Sequence, residues 1–154
     1  MIAEHLILEC ADVLTGELNT TLGIDKVKEK FLNDLPDAPR WVDGSGLSRF
    51  NLFTPRTMVA LLNKIHDIVP EKRLFKLLPA AGKSGTIRSL VTTDKPYIFA
   101  KSGSLSNNYC LSGFLITKKG RTLIFSMMNN NFLKSTTEIR KEVGSILTEI
   151  YENN

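Results

Sequence analysis

Hydrophobic positions follow a helical period over roughly the first half of the chain and a two-residue period later. Ile2, Leu6, Cys10, Val13 and Leu14 share one face at 3.6-residue spacing, so they predict an opening helix with that stripe turned inward and Gly16 as its stop. A second helix is predicted over 24–35, with Ile24, Val27, Phe31 and Leu35 inside and Pro36 and Pro39 beyond its end. Residues 41–51 are too rich in turn formers for regular structure. Thr54-Pro55 then opens a helix, threonine at the cap and proline in the first turn, with Met58, Leu61, Leu62, Ile65 and Val69 buried and Pro70 as the stop. A short helical piece is predicted over 71–78, followed by a glycine-bearing loop through Thr86.

The period changes near Tyr97. Residues 97–101, 109–117 and 122–128 read as strands, the last two joined by a hairpin at Lys118-Lys119-Gly120-Arg121. Ser135-Thr136-Thr137-Glu138 is a capping box that starts a helix with Ile139, Val143, Ile146, Leu147 and Ile150 facing inward. Helices, a three-stranded antiparallel meander and a closing helix make the fold class α+β. The 154 residues suit one domain, 1–154, without internal repeat or low-complexity linker.

Composition narrows the function. A hydrophobic share of 42% supports a core, and a charged share of 23% argues against disorder. The net charge of +4 is spread out; Lys26, Lys28 and Lys30 alternate with acids as on a solvated helix face, so nucleic acid is not an expected partner. Cys10 and Cys110 lack metal-ligand spacing, and with only His5 and His66 present neither a metal nor any other cofactor is expected. They read as two buried free thiols, with a disulfide left open. No stretch is long and apolar enough to span a bilayer as a helix. Met1 to Cys10 lacks a basic start and carries Glu4 and Glu9, so it does not read as a signal peptide.

One strand end carries candidate chemistry. Tyr97-Ile98-Phe99-Ala100 leads into Lys101-Ser102-Gly103-Ser104. A lysine there brings positive charge and supports proton transfer. The Ser102 hydroxyl can bond a carboxylate, Gly103 permits close approach along the strand, and the Ser104 backbone N–H can donate to an oxyanion. Three such residues alone do not separate this reading from a polar strand end entering a turn.

Further segments change that. They are the loop Asp43-Gly44-Ser45-Gly46-Leu47-Ser48-Arg49-Phe50-Asn51, the segment 78–87 and the stretch from Tyr109 to Leu115. With Lys-Ser-Gly, their order and spacing resemble the class C low-molecular-mass penicillin-binding proteins, the D-Ala-D-Ala carboxypeptidase/endopeptidase family, over essentially the whole chain. The resemblance implies the C-terminal portion of the penicillin-binding/serine β-lactamase-like transpeptidase fold. It implies hydrolysis of peptidoglycan stem peptides through an acyl-serine, β-lactam inhibition, and a periplasmic or extracytoplasmic parent protein. Lys101 would be the catalytic lysine of the third motif, and Ser102, Gly103 and Ser104 its substrate-binding residues. The family more often has threonine where Ser102 stands. Asp43, Ser45 and Arg49 would belong to an ordered loop near the site.

Two motifs of that family are missing. No serine has lysine three residues later, and the single Ser-x-Asn match, Ser106-Asn107-Asn108, follows the Lys-Ser-Gly strand and reads as a turn. In the family, Ser-x-Asn is followed by a helix of the type Met-Ile-Ala-Glu, which is how this chain starts. The chain is therefore expected to begin just after the second motif, through an internal start, a cut or a truncated gene. Alone it is expected not to acylate. Strand 122–128 is expected to be left as an apolar edge that pairs with a second copy. The rival readings are a non-catalytic peptidoglycan- or partner-binding module of the same fold and a small basic nucleic-acid binder.

Overall fold

The computed structural model describes residues 2–154. They form two compact units, Met1–Leu61 and Leu62–Asn154.

The first unit opens with helices α1 (Ile2–Thr15) and α2 (Thr20–Phe31). Gly16 ends α1 at a φ of +77°, a conformation that favours glycine. The stripe expected to face inward does not: Ile2, Leu6 and Val13 are 81%, 59% and 80% exposed, and Cys10 is exposed too. The buried residues of α1 are Ile7 and Ala11. The cause is a close helix approach at Gly23, where an added Cβ would lie 2.7 Å from the Ile7 carbonyl oxygen and 2.9 Å from the Ala11 Cβ. Backbone proximity, which needs small residues, chose the contact face over the larger apolar stripe.

Helix α2 starts four residues before the predicted point because Asn19 caps it. Its Oδ1 accepts from the backbone N–H groups of Thr21 at 2.9 Å and Leu22 at 3.2 Å. The helix also ends early, at Phe31, whose ring is 52% exposed with Lys30 Nζ 5.4 Å from its centre; of the predicted stripe, Ile24 alone is fully buried. Helix α3 (Pro55–Ile68) begins as expected: Thr57 N–H donates to the Thr54 hydroxyl at 3.2 Å and Met58 N–H to the Thr54 carbonyl. Asp37 pins that start, accepting from Thr54 Oγ1 at 2.5 Å and from the Arg56 guanidinium. Those partners, Arg56 first, hold its pKa down to about 2.

The second unit has the expected α+β order. Helix α4 (Glu71–Leu77) is followed by a 3₁₀ turn (Gly85–Ile87), strands β1 (Ile98–Leu105), β2 (Asn108–Ile116) and β3 (Thr122–Asn130), and helix α5 (Thr136–Asn153). The sheet is an antiparallel meander in the order β1-β2-β3. Side chains alternate between its faces. One face carries Ile98, Ala100, Tyr109, Leu111 and Leu115, packed with Ile139, Val143 and Leu147 of α5. The other carries Phe114, packed with Leu62 and Leu74, while the Phe75 ring stacks on Phe99 at 4.5 Å.

Strand β1 runs four residues past its predicted end, because Ser102 and Ser104 pair with Leu111 and Tyr109 despite their polarity. The chain then turns at Ser106-Asn107, with Asn107 at a φ of +58°. The second hairpin falls at 118–120, as expected, with Gly120 at +80°. Its Lys118 and Lys119 N–H groups donate to the carbonyls of Tyr151 and Asn154, serving the otherwise unpaired C-terminus of α5. At the other end of α5 the Ser135/Glu138 capping box is complete. Ile146 is the exception in the predicted stripe: it is 45% exposed, and Gly144 takes the place beside Leu90, whose carbonyl an added Cβ would meet at 2.5 Å.

Candidate active site

The outer edge of β1 is occupied only in its first half. Ala81 N–H donates to the Ile98 carbonyl and Ala100 N–H to the Pro79 carbonyl, both at 3.0 Å, so 79–81 acts as a short additional strand there. Past Ala100 the edge carries the candidate residues. Lys101 is exposed, and its ammonium donates to the Ser102 carbonyl. Ser102 is half-buried, and its hydroxyl lies 2.6 Å from the Thr86 hydroxyl. Gly103 and Ser104 are exposed. Among the described residues a Cβ at Gly103 would meet nothing within 4 Å, so none of them demands the glycine and the space beside it is open.

Alternation along β1 separates the two polar side chains that adjoin in sequence. Ser102 lies on the face of Ala100 and Leu111, which α5 covers. Lys101 lies on the face of Phe99 and Phe114. On that face the apolar row Phe99-Phe114-Ile124 is followed by the polar row Lys101-Ser112-Ser126, directly opposed across the three strands. The Ser112 and Ser126 hydroxyls are 2.9 Å apart. One row further, Cys110 is half-buried, and burial pushes its thiol pKa up, which favours the protonated form. Both cysteines are free thiols; Cys10, expected to be buried, is exposed.

On the α5 face, Arg140 donates from Nη2 to the Thr86 carbonyl. Tyr109 is 2% exposed, and its hydroxyl makes no hydrogen bond among the described residues. Burial raises its pKa, against a smaller opposing pull from the Arg140 cation.

The other sequence-predicted residues lie in the first unit. Asp43 Oδ1 accepts from Ser45 N–H at 3.1 Å, Ser45 Oγ at 2.9 Å and Asn51 Nδ2 at 2.9 Å. Its backbone carbonyl accepts from Trp41 Nε1 at 2.8 Å. The bonds to its carboxylate, that from Asn51 foremost, lower the Asp43 pKa and keep it ionised. Asp43 and Ser45 are thus brought together as the organising centre of the 41–51 loop, while Arg49 is exposed.

Sequence reasoning missed Ser112, Ser126, Thr86 and Arg140. The first two were recoverable, since a turn at 118–120 fixes Ile116 against Thr122 and hence Ser112 against Ser126. Thr86 lies inside a loop already singled out, but nothing in sequence ties it to Ser102 or marks Arg140. Among the described residues no group of three or more His, Cys, Asp or Glu is placed to hold a metal ion. No helix among them is long and apolar enough to cross a membrane.

Comparison with known proteins identifies the family and the fold. The family model described as D-Ala-D-Ala carboxypeptidase 3 (S13) matches residues 1–150. The D-alanyl-D-alanine carboxypeptidase DacB of Haemophilus influenzae is 36% identical over 116 residues, covering 73% of this chain and 24% of that protein. The penicillin-sensitive carboxypeptidase A of Dictyostelium discoideum is 31% identical over 115 residues, covering 69% of this chain and 22% of its own length. The crystal structure of penicillin binding protein 4 from Haemophilus influenzae, complexed with a β-lactam, superposes with a TM-score of 0.84 at 27% identity, over 98% of this chain and 38% of that one. The chain thus spans about a quarter of the length of these curated relatives, has the penicillin-binding/β-lactamase-like fold, and belongs to the D-Ala-D-Ala carboxypeptidase 3 (S13) family.

Proposed function

We propose that this chain forms the C-terminal part, as a single partial domain, of a serine-type D-Ala-D-Ala carboxypeptidase/endopeptidase that acts on peptidoglycan stem peptides outside the cytoplasm and is trapped by β-lactams. The observation that carries the reading is the open half of the β1 edge, where Lys101, Ser102, Gly103 and Ser104 follow one another beside free space, in a chain of this family. In the reading, Lys101 supplies positive charge and assists proton transfer. Ser102 holds the terminal carboxylate, Gly103 keeps the edge clear for the peptide, and the Ser104 N–H donates to the oxyanion. Asp43 and Ser45 shape the 41–51 loop, and Arg49 is the loop's solvent-facing cation.

The nucleophile is not supplied by this chain, which has no Ser-x-x-Lys. Alone it is inactive. Incubated with a fluorescent penicillin and run on a denaturing gel, it gives no covalent band; a stoichiometric band would falsify this part of the reading.

The proposal extends to self-association. β3 is the outer strand of the sheet, and half-buried side chains run from Thr122 to Asn129. An unpaired edge of that kind accepts another strand. A homodimer through 122–128 is the expected state at high concentration, and a monomer mass by light scattering there rules it out.

A further inference from the structure

We propose that Thr86, tethered by Arg140, is a positioning residue for the Ser102 hydroxyl, and that the tether fixes the direction in which this hydroxyl meets a ligand carboxylate. The inference rests on the reading of Ser102 as a carboxylate-binding residue and adds the group that orients it.

Proton counting comes first. Two hydroxyls carry two hydrogens, and the 2.6 Å contact between Thr86 Oγ1 and Ser102 Oγ uses one of them. A carboxylate only accepts, so the pair has one donor left to offer it. When Thr86 donates to Ser102, the remaining proton is that of Ser102. Donation into the Ser102 oxygen also polarises its O–H, which strengthens the outgoing bond.

The rotor is the second consideration. Serine lacks the β-methyl that stiffens threonine at χ1, so the Ser102 hydroxyl has more staggered wells open to it. An external contact is then needed to choose one, and Thr86 supplies it.

Thr86 itself must be held. Its side chain is exposed, but it sits in the Gly85–Ile87 turn, whose Ile87 is fully buried in the core. Gly85 enters that turn at a φ of +62°. From the other side Arg140 donates to the Thr86 carbonyl. Arg140 follows Ile139, a buried residue of the first turn of α5, and the capping box fixes that turn. The tether therefore runs from the α5 core through Arg140 and Thr86 to Ser102. It also places a cation on the α5 side of the sheet, whereas the Lys101 side chain starts from the opposite face.

The test is an NMR titration of the full chain with N-acetyl-D-alanine, read at the amides of Ser102, Gly103 and Ser104. In the unaltered chain these shift saturably. Thr86→Val weakens binding about threefold to tenfold, the worth of one oriented hydrogen bond. Thr86→Ser retains the affinity, Arg140→Gln weakens it, and Thr86→Val combined with Ser102→Thr recovers most of the loss, which a merely structural Thr86 would not allow. Unchanged binding in Thr86→Val, alongside weakened binding in Lys101→Gln, overturns the tether and leaves the site reading standing. No shift at 102–104 in the unaltered chain, or binding indifferent to both Lys101→Gln and Ser102→Ala, overturns the site reading itself. Should Arg140→Gln lose its folded spectrum, the Thr86 series, which leaves the core untouched, still decides.

Discussion

In Leu62–Asn154 the largest fully buried side chains come from distant parts of the sequence: Ile87 from the 3₁₀ turn, Ile98 from β1, Tyr109, Leu111, Phe114 and Leu115 from β2, Val143 and Leu147 from α5. In Met1–Leu61, the buried hydrophobic residues among those described are Ile7, Ala11 and Ile24. That unit relies instead on close helix approach at Gly23 and on polar bonds that radiate from Asp37 and Asp43. The second unit is stabilised by apolar area, which scales with side-chain size. The first depends on contacts whose value lies in geometry and charge. The Lys-Ser-Gly strand belongs to the second unit, in a sheet packed on both faces, which is where a site that must hold its geometry is best built.

Four measurements sharpen or break this contrast. The largest effect is expected for Phe114→Ala. Its ring is fully buried among Leu62, Leu74 and Phe75, and removal should cost about 3–5 kcal/mol. A thermal or urea unfolding shift well below that range would mean the second unit is not governed by apolar burial. Gly23→Ala comes next. The gain in helix propensity, about 1 kcal/mol, is outweighed by contacts under 3 Å with Ile7 and Ala11, leaving a net loss of about 1–2 kcal/mol. A neutral result would show that α1 and α2 do not depend on that approach. Ser135→Ala removes the hydroxyl half of the α5 capping box and should cost about 1 kcal/mol, with amide exchange quickening first at Glu138.

The smallest effect concerns acid. Asp37 has a folded pKa of about 2 against an ordinary 3.8, so ionised Asp37 favours the folded joint. The contribution is complete above the ordinary carboxylate range and is lost as pH falls from about 4 toward 2. An NMR titration of the Asp37 carboxyl should place its midpoint well below that of exposed aspartates. A midpoint near 4 would remove the charge argument from the first unit.

The sequence foretold the architecture well where spacing decides it. Helix α3 starts at the threonine–proline pair, α5 at the capping box, and the second hairpin where a glycine allows a positive φ. It failed where a partner decides. The inward face of α1 was misassigned because the rule ranks stripes by size, whereas Gly23 selected Ala11. β1 was cut short because Ser102 and Ser104 look like loop residues until Leu111 and Tyr109 pair with them. The candidate site divides in the same way. Lys101 to Ser104 adjoin in sequence and could be read. Thr86 reaches Ser102, and Arg140 reaches Thr86, only through the folded turn and helix, and no spacing rule joins positions so far apart.

The 41–51 loop has one more consequence. Its bonds join residues close in the chain: Val42 N–H reaches Asn51 Oδ1 across nine positions, and Asp43 reaches Ser45 across two. Arg40 and Leu52 close the base with paired backbone bonds. Closing so short a span costs little chain entropy. The hydrogen bonds that shape the loop therefore come from within 40–52, while its seat is set from outside: a Cβ at Gly44 would lie 2.6 Å from Ile7 Cδ1 and 2.9 Å from the Ala3 carbonyl oxygen, so the loop is folded locally and docked on α1 through a residue that must stay small.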